Sequence, residues 1–462
     1  MQLHERSSES QPYDALLLLE PKVADYFARD PANGKAQKEI FLADSTVRNP
    51  DHEYAELDID FDARREEIIR VSGEILPGLD TNPKFTHVYT ESIETYLKKY
   101  TLMQAAHTVK HGETGEIRAA AKATFMELNK ELYGEPEEAT YRTLLNDKLA
   151  TIANKTLTGR AADLRDELFR DHATYHPEME STPYKPSEDT IDWMHDTVMS
   201  LYGSLLAHVP DQATFTRGEL VSIFKAIVQE EFGEAAEGWE IVLEPVASVH
   251  VRASRKQIAI PDKQKDRSQE VVKGLVVHEL GVHFLRSVMG GETDLQPLAI
   301  GLNGYYDSEE GLGVVMEQAL KRAYAASGTW HYIAAGAAYH DGKDFRDVFE
   351  MRWRIELLEK LGNGAELDDE AFDAMVEKAQ STAYDRLMRV FRGTDELPWF
   401  KDLAYYNGTV EMWKHLEAIH GDDIKFLFLL LGKADPSRIE HERIMYETKM
   451  RSSEEDEDKK AA

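Results

Sequence analysis

The residues with the clearest chemical potential are two histidines and a glutamate in the segment HELGVH, residues 278–283. Neutral imidazoles bind Zn²⁺ through nitrogen, and an adjacent carboxylate can take a proton from a metal-activated water. In the common H-E-x-x-H motif the two histidines stand four positions apart, on one face of a helix. His278 and His283 stand five apart, which separates them by roughly 140° around an ideal helix. Both reach one metal only if the helix carries an extra residue, as in a π-bulge, or unwinds at its end. Gly281 makes such a distortion cheaper.

The sequence around this segment is apolar on nearly all sides. Valines and leucines precede and follow it, and Gly290-Gly291 then ends the helical pattern. A helix that is apolar all round belongs in a core, so His278, Glu279 and His283 are polar groups committed to burial. Buried polar side chains need partners, and one metal ion supplies a partner for all of them. The alternative is two core histidines bonded to ordinary neighbours, with Glu279 incidental, because short motifs also match by chance.

A third ligand is expected on the next apolar helix, which opens with the segment SEEGLG, residues 308–313. Ser308 is a suitable N-cap for this helix, and the helix dipole favours negative charge at Glu309 and Glu310. The dipole is sufficient to explain both acids. The alternative is that one of them completes a His₂Glu site and leaves the fourth position for water. A glutamate on the helix after the metal-binding helix is an arrangement that gluzincin peptidases use.

Together, the HExxxH segment and the downstream EEGLG segment resemble the QEGLA-motif family. This family includes the microtubule-associated tyrosine carboxypeptidases and many bacterial proteins, and we expect a bacterial member. Glu309 stands where the family has Gln, and Gly313 stands where it has Ala, while Glu310 matches. Further matching segments keep the family order over most of the chain: LYGEP at 132–136, IAIP at 258–261, Arg286 with Gly290, FRG at 391–393 and KDLAYYNG at 401–408.

The resemblance implies a zinc metallocarboxypeptidase that acts on the C-terminus of a peptide or protein. It implies His278, His283 and Glu310 as ligands of one Zn²⁺ per chain, with Glu279 as general base. We expect Tyr406 to stabilise the oxyanion and Arg392 to bind the terminal carboxylate, because a guanidinium fork suits a carboxylate. The alternative for Tyr406 is an ordinary buried tyrosine of the core, and the alternative for Arg392 is a solvated or ion-paired arginine at the surface.

The implied fold class is α+β and predominantly α-helical, with a gluzincin-like core. In that core a small antiparallel sheet precedes the zinc-binding helix. Three regions are expected: an N-terminal helical region at 1–188, a catalytic metallopeptidase region at 189–451 and a disordered acidic tail at 452–462. A proline-containing linker at 175–188 separates the first two regions.

Alternating hydrophobicity and turn residues locate the individual elements. The segment from residue 31 to residue 53 has the composition of a loop. Helices are expected at 13–28, 61–76, 87–111, 116–132, 139–154, 189–208 and 217–232, and strands at 239–243, 246–251 and 257–260.

Composition excludes several classes of function. The 462 residues include no cysteine, so the chain has no disulfide, thiolate ligand or cysteine nucleophile. We expect a cytoplasmic protein, since no apolar run approaches the roughly 18 residues that span a bilayer and the N-terminus lacks a signal region. The net charge of −31 argues against nucleic acid or an anionic membrane as partner. The same charge repels acidic peptides unless the cleft is locally basic.

Two alternatives to a carboxypeptidase stay open at the level of sequence. One is a non-catalytic regulatory protein on the same scaffold, in which the metal only stabilises the fold. Glu279 counts against it, because a structural metal site needs ligands but no general base. The other is a zinc endopeptidase, which differs only in whether one end of the cleft is closed.

Overall fold

The computed structural model describes residues 16, 19–54, 59–79, 83–112, 114–179, 182–246, 248–263, 265–364 and 368–448. Within these ranges the chain is predominantly helical with small sheets, as the predicted α+β class requires. The predicted acidic tail at 452–462 lies outside the described residues. No helix in the described ranges combines the length and apolar content needed to cross a bilayer.

Helices dominate the chain before residue 188, and most of them lie where periodicity predicts. They are α1 (Val23–Tyr26), α2 (Pro31–Ala43), α3 (Phe61–Leu79), α4 (Pro83–His111), α5 (Glu116–Tyr133), α6 (Glu138–Ala153) and α7 (Gly159–Glu167), which continues as a π-helical turn, Leu168–His172.

The prediction of a loop from residue 31 to residue 53 is wrong over its first half, because α2 forms there. The side chain of Asp30 accepts a hydrogen bond from the N–H of Asn33, and Pro31 occupies the first helical position. Proline is favoured at that position, since its missing N–H has no helical partner. Phe41 then buries its ring completely, which fixes the helix against the core. Of the helix expected at 13–28, residues 13–15, 17 and 18 lie outside the described ranges.

The second half of the chain alternates short strands with helices before it becomes helical again. Its elements are α8 (Glu188–Ala207), β1 (Thr214–Phe215), α9 (Arg217–Ile227) with a π-helical extension (Val228–Phe232), β2 (Glu240–Glu244), β3 (His250–Arg252), β4 (Gln257–Pro261), β5 (Arg267–Ser268), α10 (Gln269–Leu275), a π-helix (Val276–Phe284), α11 (Leu285–Gly291), α12 (Pro297–Ile300), α13 (Tyr306–Leu320), α14 (Thr329–His340), α15 (Phe345–Lys360), α16 (Asp369–Val390), α17 (Ala404–Ala418), α18 (Asp423–Phe428) and α19 (Ile439–Glu447).

The sheet that precedes the π-helix is mixed, so the expectation of a purely antiparallel sheet is wrong. Its strand order is β2-β4-β3, with β4 antiparallel to β3 and parallel to β2. The tight turn before β4, which ends with Lys256 in the left-handed region, folds β4 back on β3. Because the chain has already reversed once between β2 and β3, this second reversal aligns β4 with β2. Its central residues Ile258, Ala259 and Ile260 are fully buried.

Two large apolar cores organise the helices, and one of them contains the segment that carries the histidines. One core joins α8, α9 and β4 to the π-helix at 276–284, to α13 and to α17, and Trp413 is fully buried in it. The indole N–H of Trp413 donates to Gln318 Oε1 at 2.9 Å, which ties α17 to α13. The other core joins α2, α6 and α7 to α14, α15 and α16. The π-helix and α13 are therefore held rigidly on the first core.

Candidate metal centre

The helix distortion predicted from the five-residue spacing is present. Residues Val276–Phe284 form a π-helix, and the rings of His278 and His283 lie with their centres 4.7 Å apart at 76°. The hydroxyl of Tyr202 donates to the carbonyl oxygen of Gly281 at 2.8 Å, which satisfies a carbonyl inside the distorted turn. A Cβ at Gly281 would lie 2.9 Å from Cε1 of that ring, so the approach requires glycine. The extra residue per turn thus brings both imidazoles to one side.

The third candidate ligand, Glu310, comes from α13. The ligand atoms of His278, His283 and Glu310 all lie within 4.8 Å of one another. The expected N-cap is wrong, because α13 begins at Tyr306, two residues before Ser308. The Ser308 hydroxyl instead donates to the carbonyl oxygen of Tyr305 at 2.8 Å. The earlier start supplies a helical turn before Glu310, and its carboxylate faces the π-helix.

Each histidine is held by a separate carboxylate through its Nδ1 atom. His278 Nδ1 lies 2.7 Å from Glu317 Oε1, and His283 Nδ1 lies 2.8 Å from Glu309 Oε1. An ionised carboxylate can only accept, so the proton resides on Nδ1 and leaves the lone pair of Nε2 for another partner. Metal-binding histidines ordinarily have such carboxylate partners, which fix the tautomer and the ring orientation.

Glu309 is itself fixed by two buried cations. Arg286 Nη1 donates to Glu309 Oε2, and Lys433 Nζ lies 2.9 Å from Glu309 Oε1. Burial raises the pKa of Glu309, but Lys433, Arg286 and His283 outweigh it and hold that pKa well below its usual range. Arg286 also donates to the carbonyl oxygens of Gly432 and Ala434, at 2.9 and 2.7 Å. The carboxylate behind His283 is therefore ionised and immobile.

Glu279 lies beside the ligands without serving as one of their hydrogen-bond acceptors. Its side chain is buried, and Oε2 has no hydrogen-bond partner within the described part of the chain. Burial raises the pKa of Glu279, while His278 and His283 act in the opposite direction. A buried carboxylate oxygen without a partner is costly in a structural site, because it loses its hydration without compensation. This oxygen suits a transient partner such as water.

The electrostatics of the centre favour a cation. Burial lowers the pKa of His278, but Glu317 and Glu279 outweigh burial and raise it to about 9. The negative potential that stabilises a proton on this ring also favours a divalent cation between the imidazoles. Two imidazole nitrogens and one carboxylate oxygen form the His₂Glu donor set of hydrolytic zinc centres. The residues of this centre therefore fit the metal that the sequence implies.

Glycines permit the close packing around the centre. A Cβ at Gly313 would lie 2.7 Å from Cε1 and Nε2 of the His278 ring, so an alanine here would require that ring to shift. A Cβ at Gly311 would lie 2.1 Å from the carbonyl oxygen of Gly408, because α13 and α17 cross in contact. This crossing brings the start of α17 to the helix that carries Glu310.

The two predicted substrate-binding residues contact residues outside the His₂Glu cluster. Tyr406 is buried, its ring centre is 4.9 Å from that of Tyr332, and burial raises its pKa to about 12. Burial and the charge of Glu310 raise the pKa of the neighbouring Tyr405 above its usual range. Arg392 donates through Nε to the carbonyl oxygen of Phe27 at 3.0 Å.

Some residues of the centre could not be identified from the sequence. Glu317 has no motif of its own, but it stands two turns after Glu310 on one helix face, which is a weak signal. A separate group of potential ligands, His87, Glu91 and Glu440, joins α4 to α19 at the surface. His87 Nε2 lies 3.0 Å from Glu440 Oε1, so an ordinary ion pair accounts for it.

The arrangement of a buried His₂Glu cluster with a nearby carboxylate is typical of hydrolytic metal centres. The family model described as microtubule-associated tyrosine carboxypeptidase matches residues 193–452. This match covers more than half of the 462 residues, and the chain belongs to that family. The resemblance predicted from HExxxH and EEGLG is confirmed. Membership implies a peptidase of the carboxypeptidase type, with a peptide or protein as substrate. Neither the curated proteins nor the solved structures yielded a match to the chain.

Proposed function

We propose that this chain is a zinc-dependent metallocarboxypeptidase that hydrolyses the C-terminal peptide bond of a peptide or protein. One observation carries the proposal: the ligand atoms of His278, His283 and Glu310 converge within 4.8 Å, on a π-helix and a neighbouring helix. The carboxylates behind both histidines support it, because they fix the tautomer that leaves Nε2 available. The family match supports the carboxypeptidase type.

In this proposal His278, His283 and Glu310 hold one zinc ion per chain in a gluzincin-like core, within a catalytic region at 189–451. Zn²⁺, when bound, supplies Lewis acidity, which makes hydroxide available near neutral pH and polarises a carbonyl. Glu279 Oε2 accepts the proton of the attacking water and later delivers that proton to the leaving amine. The buried and unpartnered state of Oε2 favours this role.

The proposal also assigns binding roles beside the metal centre. The sequence indicates Tyr406 as the oxyanion donor, but Tyr405 is the better candidate because the charge of Glu310 acts on its phenol. The sequence indicates Arg392 for the terminal carboxylate, and Arg389 and Lys401 share its neighbourhood.

A peptide library with varied C-terminal residues tests the proposal when it is incubated with the protein and analysed by mass spectrometry. We expect loss of single C-terminal residues with wild type and no loss with Glu279→Gln. Cleavage at internal bonds would replace the exopeptidase assignment with an endopeptidase. A protein that binds zinc but cleaves no member of the library would favour the regulatory alternative. Absence of metal binding would contradict the centre itself.

A further inference from the structure

Lys401 is a partly buried ammonium group that has no carboxylate partner among the described residues. Its Nζ donates to the hydroxyl of Tyr306 and lies 4.0 Å from the centre of that ring. No acidic oxygen of the described residues lies within the 4.0 Å of an ion pair. Buried cations are ordinarily paired, because removing an ammonium group from water is costly without a counter-charge. Arg286 and Lys433 follow that rule through Glu309.

Lys401 borders the candidate metal centre. Tyr306 precedes Glu310 by four residues on α13, so both side chains lie on one face of that helix. Burial lowers the pKa of Lys401, while the charges of Asp402 and Glu310 oppose that shift. Glu310 also acts on the phenols of Tyr306 and Tyr405. Tyr306 therefore links Lys401 to the helix face that carries Glu310.

Of the neighbouring cations, Arg389 is paired with a carboxylate and Arg392 uses one of its five N–H donors. Arg389 lies against Asp402, with its Nε 2.8 Å from Oδ2 and its Nη2 3.2 Å from Oδ1. Arg392 donates through Nε to the carbonyl oxygen of Phe27. Lys401 retains donor capacity, because an ammonium group has three N–H donors and Tyr306 accepts from it.

The substrate of a carboxypeptidase carries its terminal carboxylate close to the reacting carbonyl. The terminal carboxylate belongs to the residue directly after the scissile bond, and consecutive Cα atoms lie about 3.8 Å apart. The cation that binds it must therefore border the metal ligands, which is the position of Lys401. A local positive charge is also needed because the chain as a whole carries −31 and repels anionic peptide ends.

We propose that Lys401, positioned by Tyr306, binds the free C-terminal carboxylate of the substrate and so makes the site specific for chain ends. This inference rests on the proposed carboxypeptidase function. The carboxylate supplies the counter-charge that Lys401 lacks, and the hydrogen bond to Tyr306 holds the ammonium group in place. The ligand class is any peptide with an ionised α-carboxylate.

The test compares one cleavable peptide as a free acid and as a C-terminal amide, with wild type, Lys401→Met, Lys401→Arg and Arg392→Met. Wild type should prefer the acid. Lys401→Met should raise KM for the acid by about tenfold or more and remove the preference, since a charged hydrogen bond is lost. Lys401→Arg should retain a substantial part of the preference, because it keeps the charge. Thermal unfolding of each variant monitors the fold.

Binding to Glu279→Gln protein gives a second readout that does not depend on turnover. Calorimetry should show tighter binding of the acid than of the amide, and Lys401→Met in this background should abolish that difference. An unchanged acid preference in Lys401→Met would overturn the inference, and its loss in Arg392→Met alone would assign the carboxylate to Arg392. If wild type cleaves neither peptide while binding still distinguishes them through Lys401, the peptidase proposal fails and the carboxylate site stands.

Discussion

The Nδ1 atom of His283 lies 2.8 Å from Oε1 of Glu309, in a hydrogen bond that is buried on all sides. Glu309 in turn forms ion pairs with both Arg286 and Lys433. In the sequence Glu309 stands beside the candidate ligand Glu310, and the helix dipole alone is sufficient to explain an acidic residue there. Its actual position makes it the carboxylate that orients a ligand, within a network of charges that depend on one another.

Glu309→Ala should therefore impair both metal binding and stability. Loss of the carboxylate leaves two buried cations unpaired, which we expect to cost about 3–5 kcal/mol in the free energy of unfolding. Metal affinity should fall about 10–100-fold, as it does when a partner of a ligand is removed. Urea unfolding and competition with a chelator measure the two effects. Glu309→Gln is the matched control, since the amide oxygen can still accept from His283. An Ala variant with wild-type affinity and stability would contradict this role.

Glu310→Ala should weaken metal binding more than the loss of the outer carboxylate Glu317. Glu310 supplies a ligand atom, whereas Glu317 acts through the Nδ1 atom of His278. We expect Glu317→Ala to cost about 10–100-fold in affinity and Glu310→Ala to cost more. Zinc titration against a chromophoric chelator measures both variants under one condition. The reverse order would mean that Glu317 is the ligand.

Glu279→Gln should separate metal binding from hydrolysis. The substitution keeps the volume of the side chain but removes the proton acceptor, while the ligands remain intact. We expect an unchanged zinc content and a fall in kcat of about 10²–10⁴-fold, the usual contribution of a general base. Metal analysis and initial rates on the same preparation supply both numbers. Activity that survives the substitution would exclude Glu279 as the base.

Tyr202→Phe should loosen the π-helix. The hydroxyl of Tyr202 satisfies the carbonyl oxygen of Gly281, and its removal leaves a buried acceptor that costs about 1–3 kcal/mol. We expect lower stability together with weaker metal binding, because the π-helix sets the approach of His278 to His283. Tyr141→Phe is a suitable control, since Tyr141 is also fully buried but bonds to Asp341, in a different core. Equal effects of the two variants on metal affinity would contradict a specific link to the π-helix.

Acid should destabilise the fold through His441. Burial, aided by Arg438, lowers the pKa of His441 to about 4, and its Nδ1 accepts a hydrogen bond from the N–H of Asp435 at 3.0 Å. The folded pKa lies below the unfolded value of about 6.5, so the neutral form is favoured on folding. The stability that this provides is complete above about pH 6.5 and is lost as the pH falls toward 4.

At pH 5 this one group should lower the free energy of unfolding by about 2 kcal/mol relative to pH 7. Urea unfolding at the two pH values measures the difference. His441→Asn keeps an acceptor for Asp435 but cannot be protonated, so its pH dependence should be smaller than that of wild type. His176→Asn, at an exposed position, controls for the loss of an imidazole. An identical pH dependence in His441→Asn and wild type would contradict a neutral buried His441.

Local patterns in the sequence are sufficient for most of the helices and for the grouping of His278, His283 and Glu310. The helix expected at 116–132 is observed at Glu116–Tyr133, because its apolar period is regular. The histidine spacing itself predicts a distorted helix, since an ideal helix would separate His278 from His283, and the distortion present is a π-helix. The same patterns fail for α2, where Asp30 and Pro31 form a helix start that also resembles a turn.

Relations between distant segments are harder to predict. Tyr405 and Tyr406 differ by about 100° around α17, and the rotation of that helix depends on its crossing with α13 at Gly408 and Gly311. Lys401 follows the start of α13 by almost a hundred residues, so its contact with Tyr306 has no local signature. The mixed sheet likewise has no local signature, because β4 lies between β2 and β3, the two strands that precede it in the chain.

Zinc removal and restoration, measured on one preparation, shows whether hydrolysis depends on a bound zinc ion. Purified protein is analysed for zinc, stripped with a chelator, and reconstituted, while release of the C-terminal residue from a peptide is followed at each step. The account predicts about one zinc per chain, loss of release on stripping, and recovery in proportion to the zinc restored. Release that persists in metal-free protein would contradict it.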